Sequence, residues 1–207
     1  MHAVIFIGGE YPDTDSVQQI CQRADLVIAA DSGYLNARSC HVPVDLLIGD
    51  MDSIGLSESE LPGDLEVQRF PRNKDFTDTE LAIQQARKRG AEQVILIGGG
   101  GGRLDHLLGI YSLFQRTHPP DSWHSSHGSA CLATTEFRRR LGAGTVLSVF
   151  PLGNKPVKLR STGLHWPLDS LHWELGDAGI SNISTIDEVV ITVESGMALV
   201  VLPTKEG

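Results

Sequence analysis

The sequence predicts an α/β protein in two parts, an N-terminal domain built on a parallel sheet and a C-terminal all-β domain. From Ala3 to about Thr117, short apolar runs alternate with helix-spaced segments, as in successive strand–helix units. Acidic turns follow four successive strands there, and right-handed crossovers would set those turns along one edge of a parallel sheet. Beyond His118–Gly128 the helical periodicity fades, and β-rich runs punctuated by glycine and proline take over. The expected domains are therefore residues 1–120 and 128–207, with a linker between them.

Taken in order, Ala3–Ile7 is the first strand and Gly8-Gly9 its exit, either a simple turn or a backbone cradle for phosphate. Asp15-Ser16 is placed to cap a helix through Ala24, with Val17, Ile20, Cys21 and Ala24 on one face. Leu26–Ala30 is a second strand and leaves into Asp31-Ser32-Gly33, with a short helix from Tyr34 to Ser39. Val44–Ile48 is a third and leaves into Gly49-Asp50-Met51-Asp52-Ser53. Leu65–Phe70 is a fourth, and beyond it Lys74-Asp75-Phe76-Thr77-Asp78-Thr79-Glu80 opens a helix. Thr77 with Glu80 three residues on is a capping-box pattern, and Gly90 would stop the helix after Lys88 or Arg89. Gln93–Ile97 is the fifth, emptying into five glycines, Gly98–Gly102, and then Arg103-Leu104-Asp105-His106. In the C-terminal part, strands are expected within 130–134, 145–150, 157–160, 189–193 and 198–202, forming a sandwich or a barrel. Gly163–Leu168 and Gly179–Asn182 read as loops between them.

A formal charge of −9 argues against a nucleic-acid or anionic-membrane surface. Three cysteines (Cys21, Cys40 and Cys131) without C-x-x-C spacing suggest neither a disulfide framework nor a zinc knuckle, and fit a reducing, cytoplasmic setting. The N-terminal segment lacks the charge and length of a signal peptide, and no apolar run reaches membrane-spanning length. His118, His124 and His127 fall in the linker without a compact ligand spacing.

The chemistry sits at the strand exits. Asp50 and Asp52 lie two apart, so an extended chain would point both the same way, where they would need a cation between them. Magnesium suits such a place, because it takes one or two carboxylates and fills its remaining positions with water and phosphate oxygens. A glycine loop leading into a helix can present N–H groups to an anion, and Arg103 would add a forked phosphate clamp. Neither the P-loop pattern nor G-x-G-x-x-G is present.

In this order, Ala30-Asp31-Ser32-Gly33, Gly49–Ser53, Lys74–Glu80, Gly102–His106, Gly163–Leu168 and Gly179–Asn182 resemble the thiamine pyrophosphokinase (thiamine diphosphokinase) family over nearly the whole chain. The resemblance implies an α/β catalytic domain followed by a β-sandwich, and a homodimer with the active site at the subunit interface. It also implies transfer of pyrophosphate from ATP to the hydroxyethyl group of thiamine, giving thiamine diphosphate and AMP. On that reading Asp50, Asp52 and Asp78 hold Mg2+, while Arg103 and Lys74 contact phosphate. Asp31, Thr77 and Asp105 serve the nucleotide side, and Asp78 assists deprotonation of the thiamine hydroxyl. Trp166 stacks on the cationic thiamine, worth about 0.5–2 kcal/mol, and Ser181 and Asn182 hydrogen-bond its aminopyrimidine. Two positions depart from the family: Ile110 stands where asparagine is usual, and Ile183 where glutamate is. The alternatives are a pyrophosphokinase acting on another alcohol, such as a hydroxymethylpterin, or a non-catalytic thiamine- or nucleotide-binding module.

Overall fold

Buried apolar runs at the strands and amphipathic helices between them give the first half of the chain its layers. The computed structural model describes residues 1–52, 54–56, 58–71, 73, 75–170, 173–174 and 176–204, and the chain divides into units Met1–His127 and Gly128–Gly207. In the first unit the strands are β1 (His2–Phe6), β2 (Leu26–Ala30), β3 (Leu46–Gly49), β4 (Glu66–Arg69), β5 (Gln93–Ile97) and β6 (Ser122–Ser125). They form a parallel sheet in the order β6-β5-β1-β2-β3-β4. The helices are α1 (Thr14–Cys21), α2 (Gly33–Ser39), α3 (Asp78–Lys88) and α4 (Leu104–Leu113). All five residues of β2 are buried, as are Leu46–Ile48 of β3, which is why these strands read as continuous apolar runs.

Strand order reverses at β1, with β2 to one side and β5 to the other. In open α/β sheets the crevice beyond the carboxyl ends of such neighbours is where ligands bind. The exits of β1 and β5 are Gly8-Gly9 and the five-glycine run, so the topology and the glycines select the same edge.

Several boundaries differ from expectation for identifiable reasons. Helix α1 starts two residues earlier than read from Asp15, because Asp13 is its N-cap and accepts from the Ser16 N–H at 2.9 Å. The expected linker holds β6: Ile95–Ile97 of β5 pair with Ser122–His124, and Trp123 Nε1 donates to the Gly98 carbonyl at 2.7 Å. Ser-Trp-His-Ser carries too little apolar signal to announce a strand. Burial raises the Cys21 thiol to about 11, with Cys40 nearby adding to it, and burial also raises Cys40 and Cys131. All three are free thiols, held in the unreactive protonated form.

The second unit is a β-sandwich. One antiparallel sheet has the order β11-β9-β13-β7, from β11 (Gly179–Ile183), β9 (Val146–Leu152), β13 (Met197–Pro203) and β7 (Gly128–Ala133). The other has the order β10-β12-β8, from β10 (Lys158–Thr162), β12 (Glu188–Ser195) and β8 (Glu136–Arg140). Phe137, Leu147, Val149, Leu159, Trp173 and Ile191 belong to one core contributed by both sheets. Strand β8 was not expected: of Glu-Phe-Arg-Arg-Arg only Phe137 is buried, and the exposed Arg138 pairs with Glu136 and Glu188 while Arg140 pairs with Asp187. Gly179–Asn182, read as a loop, forms most of edge strand β11.

Candidate active site

Each acidic turn is positioned by the strand before it. After β2, Asp31 adopts the left-handed conformation (φ 53°); its N–H donates to the Ile48 carbonyl at 2.8 Å and its carbonyl accepts from Tyr34 N–H at 3.1 Å. Gly49 lies beside it at φ 152°, where a Cβ would come within 2.9 Å of Asp31 Oδ1, so glycine is what lets β3 leave under this carboxylate. Past Gly49 the chain does not stay extended: Met51 is left-handed (φ 69°), and Asp50 Oδ1 accepts from the Asp52 N–H at 3.0 Å. That turn corrects the expectation that Asp50 and Asp52 point the same way. Asp50 lines the cleft described below, whereas Asp52 is exposed and outside its lining.

Helix α3 begins at Asp78 with the expected capping box. Thr77 Oγ1 accepts from Glu80 N–H at 3.2 Å, and Glu80 Oε2 accepts from Thr77 N–H at 2.9 Å. Thr77 thus organises the helix start that presents Asp78. Lys74 lies outside the described residues.

A cleft of about 630 Å³ opens over these exits, within the first unit. Asp31, Asp50, Asp75, Asp78 and Asp105 all line it, with Gly8, Gly9 and Thr77. Carboxylates from the exits of β2, β3, β4 and β5 therefore share one cavity, and their combined negative field draws a cation. Among the described residues, no group of three His, Cys, Asp or Glu side chains stands close enough to hold a metal. The donor set still fits magnesium, a hard ion that takes one or two carboxylates and finds its other oxygens on phosphate and water.

The glycine run does different work from that expected. Gly98 N–H donates to the His124 carbonyl at 2.9 Å, Gly99 N–H to Gly8 at 2.7 Å, and Gly100 N–H to Glu10 at 2.9 Å. The first of these donors ties the exit of β5 to β6 and the other two tie it to the exit of β1, so none of the three is offered to a phosphate. Ile110, where the family usually has asparagine, explains part of the run: a Cβ on Gly99 would collide with the Ile110 Cδ1 methyl, which fills that space. Ile110 is 6% exposed and stands as an apolar plug in the cleft wall.

Arg103 is not found among the lining residues. Its guanidinium bonds Asp105 through Nη2 at 2.6 Å and Nε at 3.1 Å, and both side chains are largely exposed. This pair, chiefly its hydrogen bonds, lowers the Asp105 carboxyl from the ordinary 3.8 to about 2 and raises Arg103. Asp105 has its pKa depressed in the folded state. The pairing is therefore complete above the ordinary carboxylate range and is lost only as pH falls towards about 2. Titration followed by carboxyl NMR should give Asp105 a midpoint near 2, returning to the ordinary range in Arg103→Ala. An unchanged midpoint in that variant would refute the pairing.

Sequence reasoning missed His106, Ser112, Glu80 and Arg116 in the cleft wall. Ser112 sits three residues after Gly109 on α4, a spacing that places the two on one helix face, but nothing in the sequence marks which face is turned inward.

In the second unit, Trp166 is 53% exposed and its ring meets His165 edge-on at 4.4 Å. Asn182 is buried. Its Oδ1 accepts from the Trp166 N–H at 3.2 Å and the Ile183 N–H at 2.9 Å, and its Nδ2 donates to the Trp166 carbonyl at 2.7 Å. Ser181 (φ 61°) breaks the β9–β11 register, which turns Asn182 inward and leaves Ser181 exposed. Asn182 therefore clamps the Trp166 loop through its carboxamide, a role the expected aminopyrimidine contact did not include.

Comparison with known proteins follows the same division. Residues 17–121 match the model of the thiamin pyrophosphokinase catalytic domain, and residues 134–198 match that of the thiamin pyrophosphokinase vitamin B1 binding domain. Among solved structures, a thiamine pyrophosphokinase from Bacillus subtilis superposes with a TM-score of 0.80 at 22% identity, covering 99% of this chain and 100% of that one. A thiamin pyrophosphokinase family protein from Enterococcus faecalis gives 0.78 at 22% identity over 100% of both chains. The enzyme from Candida albicans gives 0.71 at 15% identity, over 98% of this chain and 89% of that one. No curated protein matches the chain significantly. With family models covering both units in order, the chain belongs to the thiamin pyrophosphokinase family.

Proposed function

We propose that the chain is a thiamine diphosphokinase that transfers the pyrophosphoryl group of ATP to thiamine, forming thiamine diphosphate and AMP. The observation that carries this reading is the cleft at the sheet's switch point, where carboxylates from four strand exits converge in the part matching the catalytic-domain model. Such a cleft suits a magnesium–polyphosphate substrate better than a free anion, which its charge would repel.

On this reading Asp50 and Asp78 are the first carboxylates for the ion, with Asp52 as the third. Asp31 and Asp105 border the nucleotide, and Thr77 fixes the start of α3. Magnesium bound there would neutralise phosphate charge and favour in-line geometry. The thiamine hydroxyl oxygen bonds to the β-phosphorus as the bond from that phosphorus to the AMP oxygen breaks, and Asp78 accepts the hydroxyl proton on its carboxylate. Trp166 and the Ser181-Asn182 strand serve thiamine, in the part matching the vitamin B1 binding model. Positioning and fixed charges supply most of the rate.

The reading includes a homodimer: Leu104 and Leu108, an i,i+4 pair on α4, are 69% and 59% exposed, and a second copy would cover them. Three free thiols support a reducing, cytoplasmic setting. Among the described residues, no helix is long and apolar enough to cross a membrane. Incubating the protein with magnesium, ATP and thiamine should yield AMP and thiamine diphosphate in equal amounts. ADP as product, or turnover only with a hydroxymethylpterin, would overturn the assignment.

A further inference from the structure

Arg116 closes the turn after α4, its N–H donating to the Leu113 carbonyl at 3.2 Å. Among the described residues lining the cleft it is the one lysine or arginine, set against Asp31, Asp50, Asp75, Asp78, Glu80 and Asp105. Its guanidinium Nη2 is bonded to Glu80 Oε1. The other oxygen of that carboxylate, Oε2, is fixed by the Thr77 N–H at 2.9 Å and the Thr77 hydroxyl at 3.1 Å. Glu80 is only 12% exposed at its side chain, whereas Arg116 is 60% exposed.

A largely covered, triply bonded acid therefore holds one corner of an arginine that lines the cleft and keeps further N–H groups to donate. Stability alone is a weak reason for the arrangement, since exposed ion pairs contribute about 0–1 kcal/mol. An arginine fixed in advance loses little freedom when it takes an anion, and its planar fork matches phosphate oxygens. Arg103, by contrast, spends its fork on Asp105 and stands outside the lining.

We propose that Arg116, anchored by Glu80, is the polyphosphate contact of this cleft, taking anionic oxygens of a nucleoside triphosphate on its remaining guanidinium N–H groups. The inference rests on the ATP-using reading above and adds a residue to it. Arg116 supplies the positive charge that carboxylates cannot, at the end of the cleft where α3 starts.

The test uses the full chain with magnesium and two probes, ATP and inorganic tripolyphosphate, titrated calorimetrically into wild type, Arg116→Gln and Arg116→Lys, alongside steady-state kinetics. Arg116→Gln should weaken both probes about tenfold or more, as expected for a lost charge-assisted hydrogen bond, with Arg116→Lys recovering part of it. The KM for ATP should rise while that for thiamine stays within about twofold, a split that loosening of α3 would not produce. Unchanged affinity for both probes in Arg116→Gln, or equal rises in the two KM values, would overturn the proposal. Wild type that binds neither probe would overturn it as well. Wild type that binds tripolyphosphate but makes no thiamine diphosphate would overturn the reaction assigned above, and Arg116 would then stand or fall on the titrations.

Discussion

Asp50→Asn should lower turnover by about 10²–10³-fold, or about 3–4 kcal/mol of transition-state stabilisation, while leaving the melting temperature nearly unchanged. The two outcomes separate because the side chain does two things. As an anion it lines the cleft that must receive a magnesium–polyphosphate substrate. As an acceptor it takes the Asp52 N–H at 3.0 Å and so closes the turn through Met51. Asparagine keeps an oxygen of the same reach for that bond but removes the charge. The fold should persist and the chemistry should fail. Steady-state kinetics with a thermal melt checks both, and turnover within a fewfold of wild type would show that Asp50 carries no part of the metal–phosphate interaction.

The convergence of the acidic turns was legible in the sequence because topology does the work. Runs such as Leu26–Ala30 and Leu46–Gly49 are apolar because a parallel sheet is covered on both faces, and right-handed crossovers then put every following turn on one edge. Asp31, Asp50, Asp75, Asp78 and Asp105 come together for that reason. What the sequence hid depends on side-chain partners distant along the chain or on backbone conformation. Arg116 reaches Glu80 across 36 residues, while Arg103 turns to Asp105 two residues away. The left-handed Met51 separates Asp50 from Asp52, and no local propensity announces a bulky residue there. Strands β6, β8 and β11 escaped because each buries few apolar side chains: Ser-Trp-His-Ser, Glu-Phe-Arg-Arg-Arg and Gly-Ile-Ser-Asn-Ile hold their places by ladder bonds and single anchors.

Asn182 is the most telling of those anchors, and Asn182→Ala should affect thiamine far more than ATP. Its carboxamide closes three hydrogen bonds, two accepted from the Trp166 and Ile183 N–H groups and one donated to the Trp166 carbonyl. Alanine leaves those backbone groups without their partner at a site 5% exposed, at a cost of about 1–3 kcal/mol for each one that water does not reach. The Trp166 loop then keeps the backbone bond from the His165 N–H to the Ile183 carbonyl at 2.8 Å but loses the clamp at Trp166 itself, and the aromatic face proposed to meet the cationic thiamine becomes mobile. A rise of about tenfold or more in the thiamine KM is expected, with the ATP KM near its wild-type value and the melting temperature lowered by several degrees. Asn182→Asp is the sharper variant. It retains both acceptances but sets a carboxylate oxygen against the Trp166 carbonyl in place of the Nδ2 donor, so the clamp at Trp166 should still be lost. If Asn182→Asp bound thiamine like wild type, the clamp through the Trp166 carbonyl would not be what holds the ring. If Asn182→Ala raised both KM values equally, Asn182 would be supporting the fold of its unit and not the thiamine side of the reaction.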